Sequence, residues 1–461
     1  MVKKGEILNL DIDSLAYGGR GVARHGQFVV FVDKALPSQK VNALIYKTRK
    51  GYGEARILDV LSESNGRVEP VCEHFSYCGG CSHQHLEYSE QLTQKKNQVK
   101  DIFMRQAGIN NLEITSMIPS ESAYHYRNKM EFTFSSRRWR LPDEPLQKPA
   151  DYALGLHIPK RWDKILDINN CHIQQMKGND ILNFVREESK KLNIKPYNQK
   201  THIGFLRHLV LRFGINTGDI MVNIVTSYED TELLTPLVKI LVSKFPEINS
   251  VVNNINTKKA DTAYGEWENT LSGQSYIEEK IGDLTFEISS NSFFQTNTLQ
   301  AENLYETILS GADLSGTETV FDFYSGTGTI ALYLARHARE VIGFEAVDTA
   351  VEDALRNSVI NGVGNVRFIR KNLEKRIQDS TLPAPDVIVV DPPRAGLVGK
   401  AIDSILSYQA KKIIYVSCNP STQARDTVSI LDKGYALKSM TLIDMFPHTP
   451  HIETVAVFEG E

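Results

Sequence analysis

Apolar and polar residues alternate in short runs near the start of the chain, at Glu6–Asp13, Gln27–Val32, Lys40–Tyr46 and Glu54–Val60, with a glycine-rich break at Tyr17-Gly18-Gly19-Arg20-Gly21. A period of two between glycine turns predicts strands, and the pattern over 1–61 is that of a small five-stranded, OB-like β-barrel. From 62 to 280 no single period holds. Gln91–Ala107 has the spacing of an amphipathic helix, Lys129–Ser135 alternates as a strand, Asp219–Ser227 also reads as a strand, and the proline-rich Leu141–Pro149 reads as a loop. A central α+β domain is expected there, with part of 88–120 packing on the domain that follows.

Beyond Gly316 short apolar runs alternate with helical ones. Thr319–Phe323, Val341–Glu345, Val366–Ile369, Val387–Val390 and Lys412–Val416 predict strands; Thr329–His337, Thr349–Asn361 and Thr422–Asp432 predict helices. That order predicts an α/β class, with a doubly wound, Rossmann-like parallel sheet over 281–461 that binds its ligands at the carboxyl ends of the strands.

Composition changes this picture little. At 461 residues there is room for several cores, and no apolar run approaches the ~18 residues of a membrane span. A cytoplasmic protein with no membrane partner, and a monomer, is expected. The net charge of −4 does not favour a nucleic-acid partner, but basic residues cluster at Lys47, Arg49 and Lys50, at Arg127, Lys129, Arg137, Arg138 and Arg140, and between Lys195 and Arg212. Arg20, Arg24, Lys47 and Arg49 could line a basic groove on the barrel, and Arg127, Arg207 and Arg212 are candidate phosphate contacts.

The first strand of the C-terminal domain runs into Asp322-Phe323-Tyr324-Ser325-Gly326-Thr327-Gly328-Thr329, and a helix follows. Glycines permit a tight turn, and the helix start offers free N–H groups to a ligand. Gly326-x-Gly328-x-x-Ala331 also satisfies a dinucleotide fingerprint, and Glu345 at the next strand end could hold ribose hydroxyls of NAD or of S-adenosylmethionine. Asp322 before the loop and Val390-Asp391-Pro392-Pro393-Arg394 at the fourth strand end favour S-adenosylmethionine.

The fifth strand ends in Ser417-Cys418-Asn419-Pro420, so Cys418 falls on the same edge as Asp391, ahead of a helix whose dipole is expected to lower its pKa. An antiparallel last strand, starting near Thr454, would bring Glu453 beside it. A thiolate and a carboxylate beside a methyl donor suit methylation of the uracil 5-carbon. The thiolate adds at the 6-carbon, and the base later removes the 5-carbon proton so that the cysteine can leave.

These segments, with His451-Ile452-Glu453 and Asn291-Ser292-Phe293-Phe294-Gln295-Thr296-Asn297, resemble the RNA uracil-5-methyltransferase family over nearly the whole chain, and most closely its branch acting on 23S ribosomal RNA. The resemblance implies an N-terminal TRAM domain, Cys418 as nucleophile and Glu453 as base. It also implies S-adenosylmethionine contacts at Gln295, Tyr324, Glu345, Asn372 and Asp391, and at Thr329, where some members carry Asn.

Of the five cysteines, Cys72, Cys78, Cys81 and Cys171 form a second group. Four thiolates can hold zinc or an iron–sulfur cluster, and His74, His83, His85 and His172 lie nearby. The resemblance implies a [4Fe–4S] cluster with a structural and RNA-positioning role. Two rival functions are methylation of an exocyclic amino group, suggested by Asp-Pro-Pro-Arg, and a non-catalytic RNA-binding ribosome assembly factor. The first leaves Cys418 without a task; the second is disfavoured by the intact set Asp322, Asp391, Cys418 and Glu453.

Overall fold

A computed structural model describes residues 2–142, 144, 145, 147, 149–373, 381–398 and 400–460. Strands β1 (Ile7–Leu15), β2 (Gly21–His25), β3 (Phe28–Asp33), β4 (Lys40–Arg49) and β5 (Tyr52–Ser62) close into a barrel in the order β1-β2-β3-β5-β4. Alternation builds its core, because Leu8, Leu10 and Ile12 of β1 point inward against Val30, Val32, Val41, Ala43 and Ile45. The sequence pattern had no strand at Gly21–His25, since a glycine opens it and its outer end is exposed. The basic groove is partly neutralised: Arg20 and Lys47 both pair with Glu54, at 3.3 and 2.6 Å.

Helix α1 (Tyr88–Ala107) and the short strand β6 (Ser116–Ile118) leave the barrel for the C-terminal domain, whose sheet β6 joins at its edge. The central region follows: β7 (Lys129–Ser135), β8 (Ala153–Ile158), β9 (Arg161–Asp167), α2 (Met176–Lys191), β10 (Leu206–Phe213), β11 (Ile220–Thr226), α3 (Thr231–Lys244), β12 (Ile248–Ile255) and β13 (Trp267–Gly273). Its seven strands form one sheet in the order β13-β12-β11-β10-β7-β8-β9. Every residue of β10 and β11 is buried, so both faces are covered and no alternation marked them as a pair. Within the proline-rich loop, Asp143, Leu146 and Lys148 lie outside the described residues.

A hairpin of β14 (Tyr276–Ile281) and β15 (Leu284–Ser289) precedes the C-terminal units. These are α4 (Thr298–Ala312), β16 (Thr319–Phe323), α5 (Thr329–Ala335), β17 (Glu340–Glu345), α6 (Asp348–Ile360), β18 (Val366–Arg370), β19 (Val387–Val390), α7 (Ala401–Leu406), β20 (Lys412–Ser417), α8 (Pro420–Leu431), β21 (Tyr435–Ile443) and β22 (Glu453–Gly460). The sheet order is β18-β17-β16-β19-β20-β22-β21-β6, with β16 to β20 parallel and β22 antiparallel to β20. Connections leave β16 in opposite directions toward β17 and β19, which opens a crevice at their carboxyl ends. No helix among the described residues is long and apolar enough to cross a membrane.

One buried ion pair joins α1 to this sheet. Lys95 Nζ lies 2.6 Å from Asp444 just after β21, both side chains being nearly inaccessible to solvent. The cost of desolvating two charges is offset by further bonds: Tyr88 donates to Asp444 at 2.8 Å, and Lys95 donates to the Phe446 carbonyl at 3.1 Å. Gln91 accepts from the His448 backbone N–H at 3.0 Å, which fixes the loop leading into β22.

Candidate active site

The turn after β16 needs left-handed backbone. Tyr324, Gly326 and Gly328 have φ of 67°, 55° and 83°, and a Cβ at Gly328 would sit 2.7 Å from the Phe368 ring. Glu345 at the end of β17 holds the turn, accepting from the backbone N–H of Gly326 at 3.0 Å, Ala346 at 2.7 Å and Val347 at 2.9 Å. Thr329 opens α5 and receives the Tyr305 hydroxyl at 2.9 Å. Beneath them the Asp322 carboxylate is buried, with the Ala331 backbone N–H the only donor acting on it and neither oxygen bonded at full geometry among the described residues. Burial, then the charge of Asp391, pushes its pKa well up. An under-bonded acid beneath a glycine turn and an open helix start fits a ligand carrying hydroxyl and ammonium donors, as S-adenosylmethionine does.

Asp391 follows β19, where its N–H donates to the Phe323 carbonyl at 3.3 Å, and burial pushes its carboxyl up to about 7. Gln295 approaches from the segment before α4, its carbonyl accepting from Asn128 at 2.9 Å. Asn372 is exposed beyond β18. Of the cofactor candidates, Tyr324, Thr329, Glu345 and Asp391 thus converge on strand ends around one turn.

Cys418 lies between β20 and α8. Pairs from Lys412↔Glu459 to Ser417↔Thr454 set the register of β20 against β22, and continuing it by one residue puts Glu453 opposite Cys418. Glu453 is 3% exposed, and burial followed by the charge of Asp391 holds its carboxyl well above the ordinary range. The Cys418 thiol does not follow the helix-dipole expectation. Burial, then Glu453 and Asp391, push it up to about 12, against which Arg394 pulls down. Two carboxylates and desolvation outweigh the partial charge of a helix end.

Arg394 is the residue that sequence reasoning passed over, although it directly follows Asp391-Pro392-Pro393. Asn419 donates to its carbonyl at 2.8 Å, and its guanidinium lies 3.5 Å from His451 Nδ1. The His451 imidazole is held down to about 4, mainly by burial and then by the Arg394 charge, so it is neutral at pH 7.

Cys72, Cys78, Cys81 and Cys171 are free thiols on the wall of one cavity of about 430 Å³, shared with Arg127, Phe293 and Phe294. Burial raises all four, Cys78 and Cys81 to about 12. Among the described residues no three His, Cys, Asp or Glu side chains form a group that could hold a metal ion. The nearby histidines are engaged elsewhere in part: His74 accepts from the Asn169 N–H at 3.1 Å, and His85 lies 3.1 Å from the Lys34 carbonyl.

Two phosphate candidates are corrected. Arg207 is 1% exposed and donates to the carbonyls of Asn256, Lys258 and Ala260, at 2.7, 2.5 and 2.5 Å, while it stacks on Tyr197. Arg212 is buried and donates to the carbonyls of Ser290 and Ser292. Both brace the central sheet and its junction instead of facing solvent. Arg127 is half-buried and bonds the Lys129 carbonyl at 2.9 Å.

A Rossmann-like sheet with this turn, under-bonded acid and strand-end carboxylates defines an S-adenosylmethionine-dependent methyltransferase. Residues 268–460 match the family described as tRNA (Uracil-5-)-methyltransferase, and residues 2–58 match the TRAM domain. An uncharacterized RNA methyltransferase of Chlorobaculum tepidum is 42% identical, covering 99% of this chain and 97% of that protein. One of Halalkalibacterium halodurans is 37% identical, covering 99% and 98%. The crystal structure of the Pyrococcus abyssi tRNA (uracil-54, C5)-methyltransferase with S-adenosyl-L-homocysteine superposes at a TM-score of 0.77, with 30% identity over 98% of this chain and 99% of that one. The chain belongs to the RNA uracil-5-methyltransferase family.

Proposed function

We propose that the protein methylates the 5-carbon of a uridine in 23S ribosomal RNA, with Cys418 as covalent nucleophile and Glu453 as base. The observation that carries the chemistry is the strand register that sets Cys418 opposite Glu453. The Cys418 thiolate adds to the uracil 6-carbon, and the electron pair of the 5,6 double bond moves toward the 5-carbon and the adjoining carbonyl. Bound S-adenosylmethionine would be held by Gln295, Tyr324, Thr329, Glu345, Asn372 and Asp391, and would supply its sulfonium methyl group to the 5-carbon and leave as S-adenosylhomocysteine. Glu453 then takes the proton from the 5-carbon, the double bond re-forms and the Cys418 thiolate leaves. Arg394 is the cation that favours the thiolate at the start and end of this cycle.

The four remaining cysteines support the ribosomal substrate and a [4Fe–4S] cluster. They line one cavity, and the cluster reading rests on the resemblance of their pattern to the ribosomal branch. Methyl transfer needs no electron, so the cluster would brace the RNA-facing junction. A tRNA substrate is the second reading, favoured by the similarity to the Pyrococcus tRNA enzyme.

The test offers S-adenosylmethionine with 23S ribosomal RNA or with tRNA, followed by nucleoside analysis. Wild type is expected to form 5-methyluridine in 23S RNA, and Cys418→Ala none. Methylated adenine or guanine would overturn the reading, and 5-methyluridine in tRNA alone would move the substrate. An anaerobic preparation holding zinc and no iron would reject the cluster.

A further inference from the structure

Tyr17 belongs to the barrel, in the turn between β1 and β2, yet it packs against the hydrophobic core of the C-terminal sheet. Three features bring it there. The Leu15 N–H at the end of β1 donates to Gln94 Oε1 of α1 at 2.9 Å, so the turn is tied to the helix that grips the catalytic domain. Gly18 and Gly19 have φ of 95° and 86°, which carry the chain through the turn in left-handed backbone. A Cβ at Gly19 would lie 2.8 Å from His83 Nε2 and 3.4 Å from Pro450 Cβ, so glycine lets the turn press between the cysteine segment and the loop before Glu453.

The Tyr17 hydroxyl is buried; the Arg394 guanidinium is the hydrogen-bonding group that acts on it, short of full bonding geometry, and its own O–H proton has no acceptor among the described residues. The other charged or ionisable groups acting on it are Cys418 and Glu453. Burial raises its pKa, which keeps it a donor at neutral pH. Unsatisfied buried hydroxyls are uncommon in folded proteins and point to a partner that arrives later. Because Cys418 and Glu453, the nucleophile and base of the uracil reading, act on this hydroxyl, the arriving group is the uracil ring.

We propose that Tyr17 is a substrate-contacting residue lent by the barrel to the active site, its hydroxyl donating to the uracil carbonyl oxygen adjoining the 5-carbon. That oxygen gains negative charge once Cys418 has bonded to the 6-carbon, so a donor fixed there stabilises the addition more than it stabilises the bound RNA. The barrel then completes the catalytic site as well as gripping RNA. This inference rests on the uracil reading above.

Tyr17→Phe removes only the hydroxyl and keeps the ring in its packing. On RNA methylated by wild type, kcat is expected to fall about 10²-fold, as for loss of one oxyanion donor. The rate of covalent trapping on 5-fluorouridine RNA should fall by the same factor, while the RNA Kd and the melting temperature stay at wild-type values. Wild-type kcat in Tyr17→Phe overturns the proposal alone, as does weaker RNA binding with kcat unchanged. If wild type forms no 5-methyluridine on either RNA, the uracil reading falls and this inference with it.

Discussion

Replacing Glu453 by Gln keeps the volume of a side chain that is 3% exposed and removes its ability to take a proton. The two halves of the reaction should respond in opposite senses. Addition to the 6-carbon depends on the Cys418 thiol, which burial raises most and the Glu453 charge next. Losing that charge lowers the thiol pKa, so adduct formation is not slowed. Elimination depends on the base, and loss of a positioned general base costs about 10²–10⁴-fold, or about 3–5 kcal/mol at ~1.4 kcal/mol per decade. The methylated adduct therefore accumulates. With S-adenosylmethionine and a uridine-containing 23S fragment, a denaturing gel should show a slow band, with the intact mass of protein plus RNA plus one methyl group. Wild type should show the same band only transiently. Turnover of Glu453→Gln at the wild-type rate would refute the assignment. A large fall in kcat with no adduct would refute it too, because Glu453 would then act before methyl transfer.

Lys95→Met leaves Asp444 charged and buried, which should cost about 3–5 kcal/mol of stability; adding Asp444→Leu should recover much of it, as read from urea midpoints. A single variant that unfolds at the wild-type midpoint would contradict this. Asp391 keeps its proton in the folded state up to about 7, whereas an unfolded chain releases it near ~4. Between these values the folded state binds more protons, so stability falls as pH rises through the window. Asp391→Asn should flatten that part of the slope in urea titrations at successive pH values, and an unchanged slope would show that another group sets it.

Local pattern was enough wherever burial follows from the strand itself. Thr319–Phe323 and Val387–Val390 are apolar runs covered on both faces, and they form the strands predicted at the same residues. Placing Glu453 against Cys418 needed only one further assumption, an antiparallel last strand. What failed was decided by partners remote in sequence. Arg207 looked like a free cation because nothing near it in the chain is acidic, but three carbonyls between Asn256 and Ala260 fold over it. The Cys418 thiol was judged from the helix it precedes, while the two carboxylates that act on it arrive on other strands. The Gly-rich break at Tyr17–Gly21 could be read only as punctuation, because the contacts that give it a task come from α1, His83 and Pro450. A turn at a barrel end is cheap for the barrel to vary and free to carry a side chain outward. That is why Tyr17 can serve a site in another domain without leaving any periodic signal in its own.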